Sequence, residues 1–278
     1  MRRRQPSIEI KSINEIRLMR AAGLVVAEGL AAMAAAAVPG ASTADLDRVG
    51  REVIDRHGAV SSFLGYAYPP FPAVICSSRN AAVVHGIPSA ADVLNEGDLI
   101  SIDYGAILAG WHGDAAVSVG VGTSVDPKVA ELSEACRKAL WDGIAAAAVG
   151  RRLSDISAAV ESSVRHSGSY GIVENYGGHG IGTSMHMEPH LLNYGKPGRG
   201  PDLVPGMCLA VEPMITLGSA STRELDDDWT VVTVDGSWAA HWEHTIALLP
   251  DGVWVLTAED GGRAELESRG VRVSAVAD

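Results

Sequence analysis

The 278-residue chain is long enough to bury a sizeable core, as one large domain or two small ones, and its 47% hydrophobic content with only two phenylalanines describes a globular protein built on small and branched side chains. A formal net charge of −12 opposes nucleic acid or an anionic membrane as the main partner, and Arg2, Arg3 and Arg4 are too few to reverse it. Three widely spaced cysteines, Cys76, Cys136 and Cys208, with no CxxC pair, give neither a disulfide framework nor a thiolate zinc site, so a reducing cytoplasmic setting is expected.

Residues 1–12 read as a flexible lead, because the basic MRRR start is followed by a polar stretch and not by the apolar run of a secretory signal. Ser12 with Glu15 three residues later opens a first helix that runs to about Ala37. Its Ala-rich stretch is interrupted by Glu28 and closed by Pro39 and Gly40, the mark of a packed helix and not of a membrane span. Ser42 or Thr43 caps a second helix, with Leu46, Val49, Val53 and Ile54 on its buried face, ending near His57 and Gly58. Ser61 to Pro72 then forms a loop rich in proline and aromatics, a candidate pocket wall. A strand, turn and strand end at His85, where Gly86 and Pro88 make a rigid rim.

From Leu99 to Gly120 two alternating runs meet near Gly110, the pattern of a β-hairpin. If Asp103 faces Asp114, the turn centres between Leu108 and Ala109, and the carboxylates stand on Cβ atoms roughly 5 Å apart, where a cation is needed to offset their repulsion. Asp126 and Pro127 open a long helix through Trp141, and Leu153, Ser154 and Asp155 open another, so a helix pair precedes each of two sheet segments. The chain reads as two similar halves. In the second half, glycines surround His179, Glu212 ends one apolar strand and Glu243 begins another; buried glutamates are rare unless paired. From Glu259 onward, weak periodicity predicts a mobile polar tail over 259–278.

Taken singly, each acid or histidine has an ordinary reading as a solvated or packed side chain. Taken in order, VVHGIPS, SIDYG, WHGDAA, YGGHGIG, HMEP, VEPM and WEHT form a set that resembles methionine aminopeptidase, type I, of the pita-bread fold, over roughly Ile13 to Thr257. The resemblance implies an α+β fold, a pseudo-symmetric curved antiparallel sheet backed by two helix pairs, as a catalytic domain over 13–258. It implies two divalent metal ions, Mn, Fe, Co or Zn, held by Asp103, Asp114, His179, Glu212 and Glu243, with a water or hydroxide between them as attacking group. Glu212 then matches the proton shuttle, His186 the donor to the oxyanion, and His85 the contact to the scissile amide. Tyr66, Phe71, Cys76, Met185 and Trp229 match the methionine pocket, with His85 and His186 at its reactive end. The implied substrates are peptides and nascent chains with N-terminal methionine and a small second residue; a cytoplasmic monomer is expected besides, since no coiled-coil heptads or swapped arms appear, and the acidic balance speaks against nucleic acid and membrane.

The sequence departs from that pattern in a longer loop over residues 66–71, with Ala67 in place of a histidine. It departs also at Met185 (usually aromatic), Met187 (usually glutamate) and His241 (usually glutamine), and it lacks the zinc-finger cysteines of longer relatives. His112 and His190 match no family role. Two other readings share the ligands or the fold. A proline-directed peptidase is disfavoured because His85 comes too early for that group's additional N-terminal domain, and a non-catalytic partner-binding protein is disfavoured because all five ligand positions are filled.

Overall fold

Ser12 and Ser42 each accept a hydrogen bond from the backbone three residues on, while Glu15 and Asp45 reach back to the cap N–H, so two reciprocal capping boxes start α1 (Ile13–Ala36) and α2 (Thr43–His57). The structure, a computed structural model, describes residues 8–274. The first half continues with β1 (Val60–Ser61), β2 (Ile75–Arg79), β3 (Ala82–Val84), β4 (Leu99–Leu108) and β5 (Trp111–Gly120). The second begins with α3 (Pro127–Ala146), α4 (Leu153–Ser167), β6 (Gly171–Ile172), β7 (Gly178–Gly180), β8 (Met187–Leu191) and β9 (Cys208–Val211). It closes with β10 (Met214–Thr216), β11 (Thr222–Glu224), β12 (Val231–Thr233), β13 (Ala239–His241), β14 (Glu243–Leu249), β15 (Gly252–Val255) and α5 (Arg263–Ser268).

The central sheet runs β1-β4-β5-β14-β9-β7-β8, with β2 on β4 and β15 on β14, and its pairs are antiparallel. Each half carries its own core. Val26, Met33, Leu46 and Ile54 of α1 and α2 pack on Ile100, Ile102 and Tyr104 of β4. Leu132, Leu140, Ile156 and Val160 of α3 and α4 pack on Leu209, Val211, Ile246 and Leu248. This is the expected α+β pita-bread arrangement of a curved antiparallel sheet under two helix pairs. Although α1 is long and apolar enough to cross a membrane, its buried face is spent on β4 and β5. The approach is close: a Cβ added at Gly113 of β5 would lie 2.8 Å from the backbone nitrogen of Gly23 in α1.

The hairpin departs from the expected register. Leu108 pairs with Trp111, so the two-residue turn is Ala109-Gly110, both with positive φ (52° and 81°), and Asp103 faces Ala116 while Asp114 faces Gly105. Positive φ at both central residues is the turn whose twist matches the strands. An alanine in the first of those positions carries no sequence signal for it. The slip is by two residues, which preserves the pleat, so both aspartates keep the same face.

Both ends of the expected catalytic segment also differ. Residues 1–7 lie outside the described residues, but 8–12 are docked and not a loose lead: the Lys11 backbone N–H donates to Gly206 O, and Glu9 Oε2 accepts from Thr183 Oγ1 at 2.7 Å. Of the expected mobile tail over 259–278, residues 275–278 lie outside the described residues, and the rest is packed as far as Ser274. Leu266 of α5 is fully buried against the second core, Arg269 Nε reaches Asp142 of α3 at 2.8 Å, and Val273 bridges Val253. One apolar side chain and one arginine on a short helix are below what periodicity resolves. Leu266→Ala should therefore lower unfolding stability by about 2–5 kcal/mol, as a cavity in a core does. Urea denaturation checks it, and a mobile tail would give no change.

Candidate metal centre and its pocket

Neighbouring strands place the acidic side chains in two rows on the concave side of the sheet. Cys76 pairs with Asp103, Asp103 with Ala116, and Ala116 with Glu243, while His244 pairs with Val211 just before Glu212. In the adjacent row, His179 pairs with Ala210 and Gly105 with Asp114. Thr245 takes over the ladder beside Asp114: its hydroxyl accepts from the Asp114 N–H at 3.1 Å and donates to the Asp114 carbonyl at 2.7 Å. Pro213 interrupts β9 after Glu212, and Cys136 Sγ of α3 donates to the Pro213 carbonyl at 3.1 Å. His241 is clamped through its backbone, which donates to Ser118 Oγ and accepts from it at 2.9 and 2.8 Å.

These residues meet in one cavity of about 100 Å³. All five expected ligand positions, Asp103, Asp114, His179, Glu212 and Glu243, line it, together with His85, His186 and the expected pocket group Tyr66, Phe71, Cys76, Met185 and Trp229. Phe63, Val84 and His241 line it as well. Sequence reading missed Phe63 as a pocket residue, although the signal was present: the chain's two phenylalanines both fall in the 61–72 loop. His112 and His190 are not among the lining residues; His112 Nδ1 instead contacts Ser62 Oγ at 2.9 Å.

The electrostatics are those of a site built for cations. Among the described residues, no lysine or arginine lines the cavity. Burial pushes Asp114 up to about 7. Burial, and then the charges of their neighbours, push Asp103, Glu212 and Glu243 well above the ordinary carboxylate range. Asp103 Oδ1, Asp114 Oδ1 and Glu243 Oε1 are buried acceptors without a hydrogen-bond partner, the deficit that a bound cation removes. Ligand atoms of Asp114, His179 and Glu243 lie within 4.8 Å of one another. His179 Nδ1 sits 3.0 Å from the Gly180 carbonyl, which fixes its proton there and leaves Nε2 as a free lone pair, 3.4 Å from Glu212 Oε1. The donor set, oxygen-rich with one imidazole, fits two divalent first-row ions. His241 Nε2 is buried and unpaired, 3.8 Å from Glu212 and 3.9 Å from Glu243.

Burial lowers the histidines: His179 and His241 to about 3 and His85 to about 4, so all three are neutral at neutral pH. Cys76 moves the other way, raised by burial and by Asp103, so it is a thiol and not a nucleophile. It belongs instead to an apolar cluster of Phe63, Phe71, Ala73, Cys76 and Met185, closed by Ile87 and Trp229, which walls one side of the cavity.

In metal-free protein, the folded carboxylates hold protons that the unfolded chain has released, so stability should rise as the pH is lowered from the alkaline side to about 7. Below about 6.5 the unfolded chain protonates histidines that the fold keeps neutral, so stability should fall again. Saturating divalent metal should remove the alkaline decline, because it requires the deprotonated ligands. Thermal melts in chelator and in metal across this range test the sign.

The model of metallopeptidase family M24 matches residues 17–249 of the chain. Methionine aminopeptidase 1 of Mycobacterium tuberculosis is 55% identical over 252 residues, covering 89% of this chain and 94% of that protein. A methionine aminopeptidase of Clostridium acetobutylicum is 48% identical, covering 90% and 98%. The crystal structure of methionine aminopeptidase from Thermotoga maritima superposes with a TM-score of 0.88 at 38% identity, over 91% of this chain and all of that one. The Xaa-Pro dipeptidase of Bacillus anthracis shares the fold at a TM-score of 0.70 and 22% identity, but this chain covers only 62% of it. The family match over most of the chain and the identity to these relatives, with which the cavity of carboxylates and one imidazole agrees, place the chain in metallopeptidase family M24, among its methionine aminopeptidases.

Proposed function

We propose that the chain hydrolyses the first peptide bond of peptides and nascent chains that begin with methionine followed by a small residue, and that it needs divalent metal to do so. One observation carries this reading: a cluster of four carboxylates and an imidazole shares its cavity with a wall of aromatic and sulfur-bearing side chains. The first suits metal-assisted hydrolysis, and the second suits a thioether.

Asp103, Asp114, His179, Glu212 and Glu243 would hold the two cations, with Asp114, His179 and Glu243 already close enough to share one site. When bound, divalent ions there supply Lewis acidity, lowering the pKa of water and polarising the substrate carbonyl. The oxygen-rich set suits Mn, Fe, Co or Zn. Glu212 moves the proton from the attacking water toward the departing amine; its place in the cavity just past the end of β9, 3.4 Å from His179 Nε2, supports that role. His186 donates to the oxygen that gains charge, and neutral His85 hydrogen-bonds the scissile amide. His85 holds a positive φ of 59°, a strained backbone that a fixed orientation explains. Phe63, Phe71, Cys76, Met185 and Trp229 enclose the methionine side chain. Action as a cytoplasmic monomer without nucleic acid or membrane partners is part of the same proposal, supported by the acidic balance and by three free, buried cysteines.

The test is release of free methionine from Met-Ala-Ser and Met-Pro-Gly, first after chelation and then with Mn, Fe, Co or Zn added separately. Release should depend on metal, and Glu212→Gln should lower kcat by about 10²-fold or more. A folded, metal-loaded protein that releases no methionine overturns the proposal.

A further inference from the structure

The apolar wall and the histidine donor are joined by a single hydrogen bond. Tyr66 Oη lies 2.6 Å from His186 Nδ1, with the two rings edge to face at 5.3 Å, and the His186 ring stands 4.4 Å from that of His179. A neutral imidazole has one proton for two nitrogens, so the group bonded to Nδ1 decides what Nε2 can do. A phenol can donate, and burial together with the charge of Asp114 raises Tyr66 above its ordinary value and keeps its O–H in place. Donation from Oη to Nδ1 leaves the His186 proton on Nε2, which is the form that can donate to a substrate carbonyl.

Tyr66 is also mechanically tied to the pocket wall. Its N–H donates to the Phe63 carbonyl and its own carbonyl accepts from the Phe71 N–H, both at 2.9 Å, while Gly65 N–H donates to Phe71 O at 2.8 Å. The residue thus forms the neck of a small loop whose two phenylalanines face the cavity. Beyond the neck, Ala67 turns with a φ of 56° and Tyr68 is 95% exposed. On the other side, Met185 belongs to the apolar wall and the next residue is His186. A side chain filling the pocket would therefore touch the wall at Tyr66 and at Met185, the neighbour of His186.

We infer that Tyr66 is a positioning residue: its hydroxyl fixes His186 in the Nε2–H tautomer and couples occupation of the apolar pocket to the donor that meets the substrate carbonyl. The inference rests on the role proposed above for His186. Selection for methionine is then expressed in turnover and not only in affinity.

Tyr66→Phe keeps the ring and removes the hydroxyl. With Met-Ala-Ser, kcat should fall about 10- to 100-fold, the cost of a misaligned group, while KM stays within about threefold and metal content is unchanged. Tyr66→Leu, which removes the ring as well, should also raise KM. Nitrogen-15 NMR of the zinc-loaded protein, with His186 assigned through His186→Gln, should show Nδ1 unprotonated and Nε2 protonated in the wild type, and loss of that preference in Tyr66→Phe. Wild-type kcat in Tyr66→Phe, or a rise in KM alone, makes Tyr66 a wall residue and overturns the inference. A protonated Nδ1 in the wild type overturns it equally. If the wild type releases no methionine with any metal, the reading of the site fails, and the tautomer measurement still decides whether Tyr66 governs His186.

Discussion

Four carboxylates in one cavity, Asp114, Glu212 and Glu243 buried and Asp103 partly so, with no lysine or arginine among the described residues of its wall, are the constraint around which the rest is arranged. An isolated buried carboxylate costs several kcal/mol, and a cluster of four is tolerable only with protons or cations to neutralise it. Backbone N–H groups of Tyr104 and Ala115 reach Asp103 and Asp114, but no lysine or arginine among the described residues of the wall neutralises the cluster. Buried oxygens of Asp103, Asp114 and Glu243 are left without donors, and His179 is pinned so that it too offers a lone pair. A fold retains such an arrangement when its cores supply enough stability elsewhere, and here each half of the chain brings one.

The two halves divide the labour. Asp103 and Asp114 stand on β4 and β5 in front of α1 and α2, whereas Glu212 follows β9 directly and Glu243 opens β14, in front of α3 and α4. The pairing of β5 with β14 is the seam, and Thr245, bonded twice to the Asp114 backbone, closes it where a regular ladder stops. Small side chains permit the helices to come close behind this seam. The many alanines and glycines that make the composition look featureless are what let α1 lie almost directly on the backbone of β5.

Much of this was legible in the residues. The helix starts at Ser12 and Ser42, the paired aspartates on one face of a hairpin, and the aromatic loop as a cavity wall all follow from local chemistry. Function required more, since the order of motifs around His85, Asp103, Asp114, His179, Glu212 and Glu243 carried it and no single residue did. The hairpin register was not legible because an Ala-Gly turn lacks the Asn or Asp that would announce it. The docking of α5 was not legible because one leucine at the right distance from a core leaves no periodic trace. Neither was the link from Tyr66 to His186, since contact between residues so far apart in sequence is a property of the folded sheet and not of either segment. Phe63 is a different case: it lies in the right loop, and the fall of both phenylalanines of the chain there was the signal that marked it.

The position of β14 has a consequence for how the protein comes into being. It is among the last strands of the chain, yet it lies inside the sheet, between β5 and β9. Until Glu243–Leu249 is available, the nearly complete chain has two open sheet edges facing one another, and neither half has a full complement of carboxylates. Open edges invite association with other chains, and strand pairs distant in sequence form slowly. Insertion of β14 therefore closes the edges and assembles the cavity in the same event, so a chain on which the centre exists is one whose folding is nearly finished.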